Sequence, residues 1–421
     1  MGSVNDERGC KAKAWNVLMS FDVNNIRNDF PFFHHNPDLI YFDNAATTQK
    51  PRCVLDALEY YYSYSNSNVH RGVYKLAEEA TKQFESTRDC VASFINSKNR
   101  DSIIFTSGTT ESINLVAHGW AKNHLSKGDH ILLSEMEHHS NIVPWQMIAK
   151  ELNLIIDYIP INKNSELNIS NLENLFSNKT KLVSITHQSN VLGTVNPIKR
   201  IIDYAHSNNA VVVVDGAQST AHQAINVDEL DCDFFVFSGH KIFGPTGVGV
   251  LYGKMERLEE MSVIMGGGEM IDKVSKDNFT LNKIPWRFEA GTPAIAQVIS
   301  LKSAIDYLKK IGLENISSYE NELIDNAQRR LLEIKGIELY SPMKNKGPTL
   351  TFNIKDVHSY DYTKLMDQMG VAIRSGHHCA QPLLDSLNIS SSSRLSLSFY
   401  NTIEEVDIFF ESTKKVLDIL L

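Results

Sequence analysis

Two stretches of the chain are apolar at almost every position, and they constrain the fold more than any other feature. Val211–Asp215 reads VVVVD and 233–238 reads DFFVFS, without alternation of polar and apolar side chains. Such strands are typical of parallel sheets, which helices bury on both faces. Further short apolar runs occur at Ile103–Thr106, His130–Ser134 and 182–186, separated by amphipathic stretches. The pattern predicts an α/β domain built on a mostly parallel sheet.

The C-terminal part of the chain predicts a smaller α+β domain. Two long helical patterns follow the glycines at 266–268, and after them come the strand patterns TLTFNI and GVAIRS and a closing helix near 402–420. We therefore place a large domain at 38–300 and a small domain at 301–421. The N-terminal segment, 1–37, is expected to pack with the small domain, with residues 1–15 as a tag or a flexible lead.

Composition argues against several classes of function. The 421 residues carry a formal net charge of −9 and a pI near 5.9, which disfavours a nucleic-acid partner held by a basic surface. No apolar run reaches the roughly 18 residues of a membrane span. The five cysteines are Cys10, Cys53, Cys90, Cys232 and Cys379. They lack CxxC spacing, so neither a disulfide framework nor a metal site is expected, and a reducing compartment is favoured.

The first residues bear on localisation. MGSVNDERGCKAKAW lacks the apolar core of a secretory signal, and its Met-Gly-Ser start is typical of an expression vector. Together with the abundance of asparagine, this favours a plastid-type organelle whose targeting segment has been removed. A cytoplasmic location is the alternative.

Residues suited to chemistry follow three of the predicted strands, at the sheet edge where open parallel sheets bind ligands. Thr109 and Thr110 open a helix after Ile103–Thr106, and the free N–H groups there suit a phosphate. A plain capped helix is the alternative. Asp215 ends the strand VVVVD, and a buried carboxylate needs a cation or donor such as a pyridinium nitrogen. An N-cap role is equally compatible with the sequence.

Lys241 leaves the strand Phe234–Ser238 into a glycine-rich turn, beside Ser238 and His240. Burial favours the neutral amine that forms a Schiff base, whereas a lysine that reaches the surface is the usual alternative. His138 follows His130–Ser134 and can cover an aromatic ring. A phosphate site, an acid and an amine are together what pyridoxal 5′-phosphate requires.

Cys379 ends the sequence RSGHHC in the small domain. Imidazoles, an arginine and a flexible glycine around a thiol favour its nucleophilic form. A metal site formed with the preceding histidines and an inert cysteine are the alternatives. Adjacent His-His-Cys residues wrap poorly around one tetrahedral ion, so a metal is disfavoured.

These residues stand in stretches that resemble the SUF-type, or group II, cysteine desulfurases, which are fold-type I pyridoxal phosphate enzymes of the class-V aminotransferase family. The stretches are YFDNAATTQKP (41–51), NVHRGVYKLA (68–77), SGTTESINLV (107–116), EMEHHSNIVPWQ (135–146), THQSNVLGTVNP (186–197), VDGAQS (214–219), DCDFFVFSGHKIFGPTGVGVLYG (231–253), GGGEMI (266–271), PWRFEAGTP (285–293) and RSGHHCAQPL (374–383). The RxGHHC loop is the feature that separates group II from group I.

The resemblance implies a role for each matching residue. Lys241, Cys379 and His138 would be catalytic: Lys241 binds the cofactor aldehyde and moves the Cα proton, Cys379 accepts sulfur as a persulfide, and His138 stacks on the ring. The residues implied to hold the cofactor are Thr109, Thr110, His138, Asn190, Asp215, Gln218, Ser238, His240, Lys241 and, from the second subunit of a homodimer, Thr292. Arg394 would bind the substrate carboxylate, helped by Asn190 and His70.

The implied reaction converts L-cysteine into L-alanine. The persulfide would then pass to an acceptor protein of SufE or SufU type for iron–sulfur cluster assembly. Selenocysteine lyase activity is a near alternative, which comparison of the two substrates would separate. Transamination, which leaves Cys379 without a role, and a non-catalytic sulfur-relay subunit are the remaining alternatives.

Overall fold

The computed structural model describes residues 21–421. In that part of the chain the strands are β1 (Ile40–Tyr41), β2 (Ile103–Thr106), β3 (His130–Ser134), β4 (Ile155–Ile159), β5 (Thr180–Thr186), β6 (Val211–Asp215), β7 (Phe234–Ser238), β8 (Gly249–Gly253), β9 (Ile271–Val274), β10 (Phe279–Leu281), β11 (Ile337–Leu339), β12 (Thr349–Ile354), β13 (Val371–Ala372), β14 (Arg374–Gly376) and β15 (Ser392–Ser396).

The α-helices are Val23–Asn28, Pro31–His35, Arg52–Tyr60, Lys75–Phe94, Thr109–Val116, Lys122–His124, Val143–Leu152, Ile198–Ser207, Val227–Leu230, Met255–Glu260, Ile295–Ile311, Leu313–Leu331, Ser359–Gln368, Gln381–Ser386 and Ile403–Leu420. Short π-helices at Tyr61–Ser65 and Ala117–Ala121 continue two of them. No helix within residues 21–421 has both the length and the apolarity to cross a membrane.

The central sheet has seven strands in the order β2-β8-β7-β6-β5-β3-β4. The five strands from β7 to β4 are parallel to one another, and β8 is antiparallel to both of its neighbours, β2 and β7. The predicted mostly parallel α/β sheet is therefore confirmed. Four of the five predicted runs have the bounds read from the sequence, and β5 begins two residues earlier, at Thr180.

The absence of alternation in β6 has a direct structural cause. Val212 and Val214 belong to the hydrophobic core on one face of the sheet, while Val211 and Val213 belong to the core on the other face. Successive side chains of a strand point to opposite faces. Because helices cover both faces, each position has to be apolar.

A second, smaller sheet has the order β11-β12-β15-β14 and a core of its own. Residues just after the N-terminal segment pack with it: β1 pairs in parallel with β13, and Phe42 is buried in that core. By the predicted bounds these residues belong to the large domain. Within the segment itself, Phe30 and Phe33 are buried in the core of the large unit. Arg27 forms an ion pair of 2.6 Å with Glu405 in the closing helix. Residues 1–20, and with them the predicted tag or flexible lead and Cys10, lie outside the described part of the chain.

The helix Ile295–Ile311 runs across the domain boundary predicted at 300. Its buried residues Val298, Leu301 and Ile305 belong to the core of the large unit. The structure therefore differs from the predicted boundary, since the large unit continues to the end of this helix. Because a helix is a single rigid element, its apolar face packs against one core along its whole length.

A buried ion pair joins the helix Lys75–Phe94 to the edge strand of the large sheet. Arg88, which is fully buried, donates to both carboxylate oxygens of Glu289 at 2.8 and 2.9 Å and to Ile103 O at 2.7 Å. Glu289 Oε1 also accepts from Phe105 N at 2.7 Å. The guanidinium of Arg88 and the carboxylate of Glu289 therefore bind to each other, and each also has a hydrogen-bond partner on β2.

We expect Arg88→Met to lower the free energy of unfolding by about 3–5 kcal/mol, because it leaves the Glu289 carboxylate buried without its cation. Urea denaturation followed by circular dichroism measures the change. Arg52→Met is the control, since Arg52 is exposed and lies 3.9 Å from Asp56; exposed pairs contribute about 1 kcal/mol or less. Equal losses in the two variants would contradict the expectation.

Candidate active site

The reactive and polar residues that follow the carboxyl ends of the strands line one cavity of about 240 Å³. The cavity lies beyond the carboxyl ends of β5, β6 and β7, and the loop after β14 closes it from the small unit. Residues predicted for the site that line it are Thr109, Thr110, His138, Asn190, Asp215, Gln218, Ser238, His240, Lys241, Cys379 and Arg394. Within residues 21–421 no cluster of three or more His, Cys, Asp or Glu side chains is placed to hold a metal ion.

The helix that begins at Thr109 brings free N–H groups and hydroxyls to the cavity. Ser238 Oγ accepts from Thr109 N at 2.9 Å and lies 2.8 Å from Thr109 Oγ1. Thr110 Oγ1 lies 2.7 Å from Ser140 Oγ. A Cβ on Gly249 would come within 2.4 Å of Gly108 Cα, so glycine is needed there for the strand to approach the turn. Together these groups form a site suited to a phosphate.

Asp215 presents a carboxylate at the end of β6. Among the described residues its carboxylate accepts one hydrogen bond, from Ala217 N at 2.9 Å. Burial raises its pKa, while the hydrogen bond from Ala217 and the charge of Lys241 act in the opposite direction. A buried carboxylate with so few donors is suited to a protonated ring nitrogen, which would supply both a charge and an N–H.

Lys241 ends the short turn Gly239–Lys241 that follows β7. Its amine makes no hydrogen bond or ion pair with other residues of the described chain. Burial lowers its pKa to about 8; the carboxylate of Asp215 partly opposes this effect, and the guanidinium of Arg394 adds to it. The amine is therefore available in the neutral, nucleophilic form near neutral pH.

The imidazoles of the cavity are neutral at physiological pH. Burial, followed by the charge of Lys241, lowers the pKa of His138 to about 3. The same two causes, with the charge of Lys50, lower the pKa of His240 to about 4. His138 Nδ1 accepts from Ser140 N at 3.1 Å, which leaves its ring a neutral aromatic surface at the cavity.

Cys379 lies in a short loop that the large unit holds in place. His378 and Cys379 both have positive φ, 52° and 57°, a conformation that non-glycine residues rarely adopt and that occurs at functional sites. Both carbonyls accept hydrogen bonds from the large unit: Asn190 Nδ2 donates to His378 O at 2.8 Å, and His139 N donates to Cys379 O at 2.7 Å. The loop is therefore fixed with its thiol at the cavity.

Two arginines line the same cavity from adjacent strands. Arg394 on β15 is fully buried; it pairs with Asp43 at 2.6 Å and donates to Asn190 O at 3.0 Å. Arg394 Nε has no partner in the described chain. Arg374 is its register partner on β14. Two cations at one end of the cavity suit a carboxylate ligand.

His70 and Thr292, two of the predicted site residues, lie outside this cavity. His70 contacts Glu85 at 2.9 Å and Glu269 at 3.0 Å in a separate cluster of charges. Thr292 is exposed and lines another crevice, with Thr106 and Ser107. The subunit described here therefore does not bring either residue to its own Lys241.

Two further predicted side chains line the cavity and also make contacts within the protein. The Gln218 amide donates to Ala45 O at 2.8 Å, and the Asn190 amide is used by the cysteine loop.

The sequence reasoning gave no site role to several residues of the cavity wall, among them Arg374, Ser140 and Gln188, or to Asp43, which pairs with Arg394. Arg374 and Asp43 stand within stretches already compared with the desulfurases, RSGHHCAQPL and YFDNAATTQKP. As charged residues in those stretches, they could have been selected as site candidates from the sequence. Ser140 and Gln188 are ordinary polar residues in loops. Nothing in their local sequence distinguishes them from solvated side chains.

The cavity fits pyridoxal phosphate on its own chemistry. It combines hydroxyls at a helix N-terminus, a buried carboxylate with one protein donor, a neutral imidazole face and an amine without a partner. That combination supplies a phosphate site, a partner for the ring nitrogen, a stacking surface and an aldehyde acceptor.

Comparison with known proteins gives an independent result. The aminotransferase class-V family matches residues 40–409. A Halalkalibacterium halodurans protein described as a probable cysteine desulfurase is 48% identical over 377 residues, covering 90% of this chain and 93% of the relative. A Synechocystis sp. protein with the same description is 46% identical over 393 residues, covering 92% and 94%.

Solved structures agree with these relatives. The crystal structure of the cysteine desulfurase CsdA from Escherichia coli has a TM-score of 0.90 and 38% identity, and the match covers 95% of this chain and 100% of that one. The apo cysteine desulfurase from Thermococcus onnurineus also gives 0.90, at 37% identity, with coverage of 94% and 98%.

Proposed function

Because this chain belongs to the aminotransferase class-V family and is a cysteine desulfurase of that family, we propose that it supplies the sulfur for iron–sulfur cluster assembly by the SUF route. L-cysteine is the sulfur donor, L-alanine the product, and a protein of SufE or SufU type the acceptor. The observation that carries the proposal is the position of Cys379. Its thiol is partly exposed and lines the same cavity as Lys241, so it can both take sulfur from a substrate and offer it to a partner.

Different residues of the cavity would hold different parts of the cofactor. Thr109, Thr110, Ser238 and His240 would hold the phosphate, Asp215 the ring nitrogen, and His138 the ring face. Lys241 would hold the aldehyde. When bound, pyridoxal phosphate supplies an electrophilic carbon for the substrate amine and a ring that withdraws electrons from Cα.

The protein's own groups perform the remaining steps. Arg394 and Arg374 bind the substrate carboxylate and so orient the Cα–H bond and the sulfur. Lys241 Nζ takes the Cα proton and later gives it back. Cys379 Sγ, as thiolate, attacks the substrate sulfur: an S–S bond forms, the C–S bond breaks, and its electron pair stays with the carbon that becomes the alanine methyl group. The neutral His138 adds no competing charge.

The lowered pKa of Lys241 gives a testable pH dependence. With a pKa of about 8, roughly a quarter of the amine is neutral at pH 7.5, against roughly one in a thousand for an ordinary lysine. We expect the rate at which cofactor-free protein takes up pyridoxal phosphate to rise with pH and to level off above about 8. Stopped-flow absorbance measures it, with Nα-acetyl-lysine as reference. A rate that still rises tenfold per pH unit between 8 and 10 would contradict the assignment.

A homodimer is part of this proposal. Thr292 is exposed and does not line the subunit's own cavity, and several aromatic side chains on the same subunit are also exposed, including Tyr60, Tyr64 and Tyr74. Thr292 from a second subunit would complete the phosphate site. Sedimentation equilibrium tests the assembly: a mass of one chain at micromolar concentration would contradict it.

The SUF assignment is tested by sulfur transfer. Enzyme incubated with cysteine is mixed with a purified SufE-type or SufU-type acceptor, and persulfide on the acceptor is measured by mass spectrometry together with alanine release. We expect transfer and a severalfold rise in alanine release with one of the two acceptors, and no rise when the acceptor's cysteine is replaced by serine. Unchanged alanine release and no sulfur on either acceptor would refute the SUF role while leaving the desulfurase reaction intact.

A further inference from the structure

A short segment after β1 lies against the turn that carries Lys241. Thr48 N and Thr48 Oγ1 donate to His240 O at 3.2 and 3.1 Å, and Lys50 Nζ donates to the same oxygen at 3.0 Å. Thr47 Oγ1 lies 3.2 Å from it. This oxygen belongs to the peptide bond between His240 and Lys241. Because a carbonyl accepts through two lone pairs, four donors around one oxygen hold that peptide bond in place.

The hydroxyl of Thr48 contacts the backbone on both sides of Lys241. It donates to His240 O and accepts from Phe243 N at 3.0 Å. A hydroxyl has one hydrogen to donate and lone pairs to accept with, so the two bonds form together. Thr48 is 3% exposed and is not among the residues that line the catalytic cavity. It therefore acts on the backbone of the turn and not on a ligand of the cavity.

The backbone that Thr48 contacts has an unusual conformation. Phe243 has a φ of 65°, in the left-handed region that a bulky side chain rarely adopts. Such a conformation persists where the surrounding contacts enforce it. The ring of Phe243 is fully buried and lies 4.6 Å from that of Phe399, centroid to centroid, and its N–H is bonded to Thr48. The hydrogen bond and the packing of the ring together maintain the turn.

The segment that carries Thr48 is itself fixed on both sides of this residue. Tyr41 OH donates to Thr47 O at 2.9 Å, and Gln49 N donates to Tyr400 OH at 3.0 Å. Tyr400 is fully buried. Because its two neighbours in the chain are bonded to two different tyrosines, the hydroxyl of Thr48 has little freedom to move away from the turn.

These contacts bear on the role proposed above for Lys241, on which this inference rests. The amine has to reach the cofactor aldehyde and later the substrate Cα, and both reactions depend on how the reacting atoms are aligned. The side chain of a lysine is long and flexible, so its reach is set by where its backbone is held. We propose that Thr48 is a positioning residue for Lys241: its hydroxyl holds the backbone on both sides of the lysine, so that the amine stays aligned for both reactions.

Thr48→Val tests the inference, because valine keeps nearly the same shape and lacks the hydroxyl. We expect covalent attachment of pyridoxal phosphate to the full-length, cofactor-free protein at pH 8, followed by stopped-flow absorbance, to slow by about fivefold to twentyfold. Thr48→Ser, which keeps the hydroxyl, should stay within about twofold of wild type. Thr87→Val is the control: Thr87 is fully buried, and its hydroxyl donates to Gln83 O of its own helix at 3.1 Å. Its rate should equal that of wild type.

Turnover of cysteine that carries deuterium at Cα gives a second readout. A misaligned amine slows proton transfer relative to the other steps, so in Thr48→Val kcat should fall by about tenfold and its deuterium isotope effect should rise. KM should change by less than about twofold, because Arg394 and Arg374 stay in place to bind the carboxylate. Loss of folded protein alone would lower kcat without altering the isotope effect.

Attachment of the cofactor in Thr48→Val as fast as in Thr87→Val would overturn the inference, and so would an equally slow Thr48→Ser. If Thr48→Val does not fold, Lys50→Met removes a separate donor to His240 O and should slow attachment by about twofold to fivefold; a wild-type rate in that variant would then overturn the inference. These outcomes leave alanine release by the wild type intact. Absence of covalent attachment in the wild type would instead refute the role of Lys241 itself.

Discussion

Replacing Lys241 by arginine is expected to lower alanine release by at least about 10³-fold, since positioned proton transfer alone contributes about 10²–10⁴-fold and the variant also loses the nucleophilic amine. Arginine keeps the positive charge near Asp215 but stays protonated at any accessible pH. The substitution therefore removes the reactive amine and leaves the electrostatic balance of the cavity largely intact. Alanine is measured by coupled assay, and covalent attachment of the cofactor by its absorbance after gel filtration.

Lys50 provides the matched control for this experiment. It is a second lysine whose pKa burial lowers, to about 7, and its amine donates to His240 O at 3.0 Å, next to Lys241 in the chain. Lys50→Met should lower activity far less than Lys241→Arg and should keep the cofactor attached. Cofactor that stays attached in Lys241→Arg but is lost in Lys50→Met would contradict the assignment of the aldehyde-binding amine to Lys241.

The sheet and the reactive side chains at its edge could be predicted from sequence because both depend on local patterns. β6 and β7 are apolar on both faces, so their burial is evident without knowing their neighbours. Asp215 and Lys241 follow them directly, and parallel strands bring their carboxyl ends to one edge. The predicted convergence of the residues after β2, β6 and β7 needed no more than this rule.

Other features depend on contacts between distant parts of the chain, and the sequence does not contain a local signal for them. β1 is two residues long and exists because it pairs with β13 in the small unit. The domain boundary at 300 was placed where the long helical patterns begin, but the helix Ile295–Ile311 packs as one body on the large core. Side-chain partners were equally hard to predict: no local pattern indicates that the Asn190 amide holds the cysteine loop.

The resemblance to group II desulfurases supplied what local patterns could not. It assigned Arg394 to the cavity, although that residue stands in a serine-rich strand without a distinguishing pattern of its own. It also paired Cys379 with Lys241, which are far apart in sequence and line one cavity in the structure. His70 and Thr292 remain predictions, and of the two only Thr292 was predicted to act from a second subunit.

Replacing Cys379 by serine is expected to abolish the protein persulfide and to lower alanine release by at least about 10²-fold. Serine preserves the size of the side chain and the hydrogen bonds of the loop, but its hydroxyl is not ionised near neutral pH and is a poor nucleophile towards sulfur. Proton movement by Lys241 does not need the thiol, so cofactor absorbance should still respond to added cysteine. That response separates a chemical defect from a folding defect.

Cys53→Ser is the control for this last experiment, because Cys53 is an exposed thiol remote from the cavity, on the helix Arg52–Tyr60. After incubation with cysteine, mass spectrometry of the Cys53→Ser protein should find one added sulfur, on the peptide that contains Cys379. The Cys379→Ser protein should carry none. Sulfur found on another cysteine, with alanine release intact in Cys379→Ser, would mean that the positive φ values at 378 and 379 serve the loop's packing alone and that the acceptor thiol lies elsewhere.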